Sequence, residues 1–156
     1  VCVCLCVCVC VCVLFLRAPQ GMGEPLQNLP AVLPALDIIT AQPGLQFSPG
    51  RITVSTSGLV PQLHTLATAH PGVQLAVSLN ATTDEIRTRL MPVNRKWPLE
   101  ELMAALRRLF PADQSLSLRL GRRTHVFLEY IMLQGVNDSV EDARRLVRLG
   151  GGTGGK

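Results

Sequence analysis

A short apolar segment, a cluster of small or polar residues and a helical pattern follow one another four times along the chain. The apolar segments span 13–16, 51–54 (RITV), 73–77 (VQLAV) and 125–133 (HVFLEYIML). Strands rich in Val and Leu that alternate with helices predict a parallel sheet joined by right-handed crossovers. Four units are too few to close an eight-stranded barrel. We therefore expect an α/β fold, a partial (β/α) barrel with about four parallel strands.

Capping residues and apolar periodicity place the helices. Thr82 and Glu85 have the spacing of a capping box, and Asp138 or Ser139 is placed to cap the last helix. Pro98 sits in the first turn of an additional amphipathic helix. Its predicted apolar stripe consists of Leu99, Leu102, Met103, Leu106 and Phe110. The other predicted helices run over Leu29 to Thr40, over about Pro61 to Ala69, along a segment with Ile86 and Leu90, and along one with Ala143, Leu146 and Leu149.

The first 16 residues, VCVCLCVCVCVCVLFL, contain no charged residue and all six cysteines. Cysteines occupy every second position from 2 to 12, so neighbours on an extended strand lie about 6.6 Å apart, too far for an easy disulfide. A metal-binding segment is one interpretation, but the usual ligand spacings are absent. We favour low-complexity sequence, as a translated GTGTGT repeat produces, that is no part of the fold. Residues 17–149 then form the domain, and the Gly-rich residues 150–156 form a flexible tail.

The N-terminal segment lacks the features of a signal peptide or a membrane-spanning helix. No positive charge precedes the apolar run, as a signal peptide requires, and 16 residues are too short for a spanning helix. Because the chain also begins with Val, we expect a fragment or an incomplete gene model. An N-terminal targeting segment is the alternative. We expect a location in the cytoplasm or an organelle, no secretion and no contact with a membrane.

The composition is that of a folded protein, with 47% hydrophobic and 17% charged residues. The net charge of +4 permits a polyanionic partner without requiring one. A run of arginines can contact RNA phosphates or form a solvated basic face; it comprises Arg107, Arg108, Arg119, Arg122 and Arg123. The three histidines, His64, His70 and His125, lack a second ligand at metal spacing.

Polar clusters lie where the predicted strands end, and ligands of parallel α/β folds bind at that edge. The clusters span residues 21–24, 55–58, 78–80 and 135–138. Gly23 and Glu24 form either an ordinary turn or one whose carboxylate accepts hydrogen bonds from an ammonium group. Ser55, Thr56 and Ser57 can hydrogen-bond a ribose or carboxylate, or cap the next helix.

Four longer motifs occur in a fixed order: GMGEPLQN, RITVSTSGLVP, LAVSLNATTDEIRTRLMPVNRKWPLEEL and GRRTHVFLEYIMLQGVNDSVEDARRL. From Gly21 to Leu149 this series resembles the dual-specificity ribosomal and transfer RNA adenine-C2 methyltransferases of the RlmN/Cfr type. These are radical S-adenosylmethionine (SAM) enzymes. The resemblance implies a partial radical SAM (β/α) barrel, incomplete at both ends. It also implies SAM and a [4Fe-4S] cluster as cofactors and ribosomal RNA and tRNA as partners.

The resemblance assigns SAM contacts to particular residues. Gly23 and Glu24 match the pair that binds the methionyl amino group. The other implied contacts are Ser55, Ser78, Leu79 and Asn80. Asn80 stands where the bacterial form has His, so this position keeps a hydrogen-bonding group but cannot titrate near neutral pH.

The sequence departs from the family in its cysteines. The family's cluster-binding Cys-x-x-x-Cys-x-x-Cys run belongs upstream of GMGEP, where this chain has the Val-Cys repeat. Neither the family's methyl-carrying cysteine nor its last strand, with a SAM-binding Asn, is found, and its RNA-recognition domain is also missing. We therefore predict no catalytic residue and no metal ligand, and a chain that is inactive by itself. The alternatives are a non-catalytic product, such as a pseudogene translation or an RNA-binding remnant, and another SAM- or phosphate-binding barrel enzyme.

Overall fold

The computed structural model describes residues 23–111 and 125–151. Three strands, β1 (Thr53–Thr56), β2 (Gln74–Ser78) and β3 (Phe127–Glu129), form a parallel sheet in the order β1-β2-β3. The prediction of an α/β fold with a parallel sheet is confirmed. The segment 13–16, predicted as a further strand, lies outside the described residues, as does the Val-Cys repeat.

Helices follow each strand, as the alternating pattern predicts. The α-helices are α1 (Leu29–Thr40), α2 (Val60–Ala69), α3 (Asp84–Leu90), α4 (Leu99–Leu109) and α5 (Val140–Gly150). Short 3-10 helices span Pro25–Asn28, Pro49–Arg51 and Pro92–Arg95. Proline in the first turn of α1 and α2 leaves no intrahelical hydrogen bond unmade there. Within the described ranges, no helix has the length and apolar character needed to cross a bilayer.

The two faces of the sheet differ. Register pairs of a parallel sheet point to the same face, so Val54, Leu75, Val77 and Leu128 share one face, and all four are buried. They join a hydrophobic core with Leu63 and Leu66 of α2 and Leu102 and Leu106 of α4. The predicted α4 stripe is confirmed, since all five of its residues are buried.

Small and polar side chains, with Phe127 as the exception, line the opposite face, which we call the open face. It carries Thr53, Ser55, Gln74, Ala76, Ser78, Phe127 and Glu129. All of them except Ala76 are only partly buried. Buried and half-buried residues alternate along the strands, so the open face does not pack against the hydrophobic core and is available for other contacts.

The capping box predicted at Thr82 and Glu85 is wrong by one residue. Thr83 caps α3 and accepts a hydrogen bond from the Ile86 N–H, at 3.5 Å. Thr82 is buried, and its hydroxyl donates to Asp142 in α5 at 2.7 Å. The Thr82 hydroxyl therefore bonds to a residue distant in sequence and does not cap α3.

The last helix is capped at one of the two predicted positions. Ser139 and Asp142 form a reciprocal capping box at the start of α5. Asp138 instead accepts from the Gly135 N–H. Of the predicted apolar residues of this helix, Leu146 is buried and Ala143 is exposed.

Candidate functional site

The structure brings the polar clusters of three segments to one edge of the sheet. Ser55 and Ser78 lie at the carboxyl ends of β1 and β2, and Asn80 follows two residues after Ser78. Glu24, the N-cap residue of the 3-10 helix Pro25–Asn28, reaches the same edge because its carboxylate accepts hydrogen bonds from Thr56 and Ser57. This is the placement expected from the sequence.

Glu24 is anchored by four hydrogen bonds from the protein. Oε1 accepts from the Thr56 hydroxyl at 2.7 Å and from the Leu26 N–H at 3.0 Å. Oε2 accepts from both the N–H and the hydroxyl of Ser57, each at 2.7 Å. The carboxylate therefore ties the 23–24 turn to the end of β1. The neighbouring Gly23 is exposed, and a Cβ built there meets no atom within 4 Å, so open space adjoins its backbone.

A second carboxylate joins the two serines on the open face. Glu129, at the end of β3, accepts from Ser55 at 3.2 Å and from Ser78 at 3.0 Å. Each serine hydroxyl has one proton, and both protons point to Glu129, so both serine oxygens are left as acceptors for a further group. Sequence reasoning missed Glu129, because its relevance depends on the register that pairs it with Ser78.

The hydroxyls of residues 55–57 do not cap the next helix. The N-cap residue of α2 is Leu59, which makes no side-chain cap bond. Ser55 donates to Glu129, while Thr56 and Ser57 donate to Glu24. The alternative interpretation of this cluster as a helix cap is therefore wrong.

Leu79 and Asn80 form the turn that ends β2. Leu79 is fully buried, its N–H donates to the Glu129 carbonyl and its own carbonyl accepts from Arg87. Asn80 has a φ of 56°, a left-handed conformation that Asn tolerates better than most residues. Its Oδ1 accepts from the Ile131 N–H at 3.1 Å, which holds the segment after β3 against this turn.

An arginine that is not among the predicted site residues lies behind this edge. Arg87 of α3 has no exposed surface, and no other residue of this helix is buried. Its guanidinium donates to the carbonyls of Ser57, Ser78 and Leu79 and to Asn94 Oδ1, at 2.8 to 3.2 Å. Burial lowers the pKa of Arg87 to about 10, so the side chain stays charged at neutral pH.

Curated proteins are similar to this chain over most of its length. The chain is 55% identical over 129 residues to the dual-specificity RNA methyltransferase RlmN of Geotalea uraniireducens (strain Rf4), a match that covers 83% of this chain and 35% of that protein. The same enzyme of Geobacter sulfurreducens (strain ATCC 51573 / DSM 12127 / PCA) is 56% identical over 129 residues, which are 83% of this chain and 33% of that protein. The chain is homologous to the RlmN family over most of its length.

A solved structure is also similar to this chain. A radical SAM methyltransferase from Sphaerobacter thermophilus superposes with a TM-score of 0.71 and 45% sequence identity, over 84% of this chain and 36% of that one. This chain spans about a third of the length of the RlmN relatives that it matches. No family model matches it.

The residues present do not fit a [4Fe-4S] cluster. All six cysteines lie between positions 2 and 12, at even spacing, and the 156 residues contain no Cys-x-x-x-Cys-x-x-Cys run. Within residues 23–111 and 125–151, no three His, Cys, Asp or Glu side chains cluster as metal ligands do.

Proposed function

We propose that this chain forms part of the SAM site of an RlmN-type RNA methyltransferase. The observation that carries the proposal is the convergence of Glu24, Ser55 and Ser78 at the carboxyl edge of a parallel sheet. In parallel α/β folds this edge is where ligands bind. The homology to RlmN over 129 residues supports the same conclusion.

The chemistry of the edge suits the methionyl and ribosyl groups of SAM. SAM carries an ammonium group, a positive sulfonium and ribose hydroxyls. Two carboxylates, Glu24 and Glu129, face this edge, and the oxygens of Ser55 and Ser78 are left as acceptors. Acceptors and negative charge match the ammonium and hydroxyl donors of the ligand. Gly23 and the 78–80 turn complete the proposed contacts. Leu79 is fully buried, so it contributes by holding this turn in place.

The proposal predicts where SAM binds on the 156-residue chain. We expect SAM to shift backbone NMR signals at residues 23–24, 55–58 and 78–80, with an affinity no better than about millimolar, because only part of a complete site is present. Signals of α1 and of the C-terminal half of α5 should stay unchanged, and they serve as the internal control. Shifts confined to other regions, or none at about 10 mM SAM, would contradict the proposal.

A second prediction concerns the cluster of the parent family. We propose that a polypeptide of these 156 residues does not cleave SAM reductively, because its thiols cannot hold the iron. After anaerobic reconstitution, iron and sulfide should not reach a defined stoichiometry. A variant with all six cysteines changed to serine is the control and should retain as little iron as the wild type. Iron and sulfide near four each per chain, with a cluster spectrum, would show the prediction to be wrong.

We further propose that the substrate is ribosomal RNA and tRNA, methylated at C2 of adenine, as the family resemblance implies. The name of the relatives, dual-specificity RNA methyltransferase, supports methylation of RNA. Exposed Arg107 and Arg108, at the end of α4, are the described members of the basic run available to phosphates. Arg119, Arg122 and Arg123 lie outside the described residues. We propose a location in the cytoplasm or an organelle, where such RNAs occur.

A further inference from the structure

The pairing of β1 with β2 ends beside the proposed site. The last register pair of these strands is Thr56 with Val77. The next residues, Ser57 and Ser78, each present a carbonyl that accepts from the same Arg87 nitrogen, Nη2, at 2.8 and 3.2 Å. The guanidinium thus spans the two strands where their own pairing ends.

Two further hydrogen bonds make the connection rigid. Nε of Arg87 donates to the Leu79 carbonyl at 3.0 Å, and Nη1 donates to Asn94 Oδ1 at 2.9 Å. Asn94 is itself held, because its Nδ2 donates to Asp84 and Thr88, both at 2.9 Å. A planar fork with fixed donors loses less freedom on forming several bonds than a flexible ammonium does.

The segments joined by this arginine are those of the proposed site. Ser57 also binds Glu24, and Ser78 also binds Glu129. Arg87 has no exposed surface, so it does not contact a ligand from solvent. Its influence on the site passes through the backbone.

We propose that Arg87 is a positioning residue for the SAM site. It sets the separation and orientation of the carboxyl ends of β1 and β2, and with them the places of the Ser55 and Ser78 hydroxyls. This inference rests on the proposed function for the identity of the ligand. The clamp itself, defined as Arg87 with the carbonyls of Ser57, Ser78 and Leu79, can be tested without ligand.

The test compares Arg87→Lys with Arg89→Lys in the full chain. Lysine keeps the positive charge but cannot bond to both strands and to Asn94 at once. Arg89 lies on the same helix and is exposed, so its substitution is the matched control. We expect Arg87→Lys to shift backbone signals at residues 55–58 and 78–80 without ligand, and to weaken SAM binding about tenfold when compared at equal folded fraction by circular dichroism. Arg89→Lys should do neither.

The outcomes separate the clamp from the proposed function. Unchanged ligand-free signals at 55–58 and 78–80 in Arg87→Lys would overturn the clamp. If SAM binding by Arg87→Lys falls only in proportion to its folded fraction, Arg87 stabilises the fold without positioning the site, and the inference is overturned. Absence of SAM binding in the wild type would contradict the proposed function, while the ligand-free signals would still decide the clamp. If Arg87→Lys does not fold, the clamp is tested in the wild type by the rate of hydrogen exchange at the Arg87 Nε–H. Exchange slower than at Arg89 supports the clamp, and exchange as fast as at Arg89 overturns it.

Discussion

Replacing Asp142 by alanine is expected to lower the free energy of unfolding by about 3 kcal/mol, the scale set by breaking a buried, hydrogen-bonded charge and a helix cap. Asp142 is 5% exposed. Its carboxylate accepts from Ser139, Thr82 and Arg145. Alanine leaves all three donors without this partner and removes one of the two hydrogen bonds that join α5 to Thr82, the other being donated by Arg145. Urea denaturation at neutral pH, followed by circular dichroism, measures the loss.

Glu141→Ala is the matched control for this substitution. Glu141 is adjacent in sequence and pairs with Arg144, Arg145 and Arg148, but its side chain is 48% exposed. Exposed ion pairs are screened by water and contribute little. We expect the control to unfold close to the wild-type urea concentration. Equal losses in the two variants would mean that burial of Asp142 does not determine its contribution.

The contribution of Asp142 also depends on pH. The Ser139 hydroxyl, followed by Thr82 and Arg145, holds the pKa of Asp142 well below its usual range. A carboxylate with a lower pKa in the folded state than in the unfolded state stabilises the fold above the unfolded value of about 3.9. That stability is lost as the pH falls below this value. The difference between wild type and Asp142→Ala should therefore be complete at pH 7 and should shrink below about pH 4.

Local patterns predicted the elements of this fold, because their causes lie close together in sequence. The bounds of α1 and the stripe of α4 follow from periodicity. The first two described strands follow from short apolar runs beside turn residues. The edge on which the polar clusters meet follows from parallel topology alone, since every strand of such a sheet ends on the same side.

The parts that sequence reasoning missed depend on distant partners. Arg87 is a charged residue of a short helix, a type that is seldom fully buried. Its acceptor at Ser57 is 30 positions away. Thr82 is drawn from the helix end by Asp142, 60 positions later. Glu129 becomes part of the candidate site only through the register of β3 on β2. Each case needs a tertiary contact that no window along the chain contains.

Replacing Glu24 by glutamine is expected to weaken SAM binding by roughly 10- to 150-fold, on the scale of the ~1.5 to 3 kcal/mol that a charge-assisted interaction contributes. Two physical causes contribute. Glutamine removes the negative charge proposed to face the methionyl ammonium. It also has a single acceptor oxygen. Its NH2 group therefore meets hydrogen-bond donors of Ser57 or Thr56 that the carboxylate accepts in the wild type.

Thr56→Val separates the lost charge from a displaced turn. Thr56 is buried and gives Glu24 one of its four hydrogen bonds, so valine loosens the 23–24 turn while the charge remains. We expect Thr56→Val to weaken SAM binding less than tenfold, as measured by NMR titration at equal folded fraction. If it weakens binding as much as Glu24→Gln, placement of the turn, not the charge, governs affinity. Micromolar binding by the wild type that Glu24→Gln abolishes would instead show that the retained edge is a working site, because millimolar affinity is what we expect of a partial one.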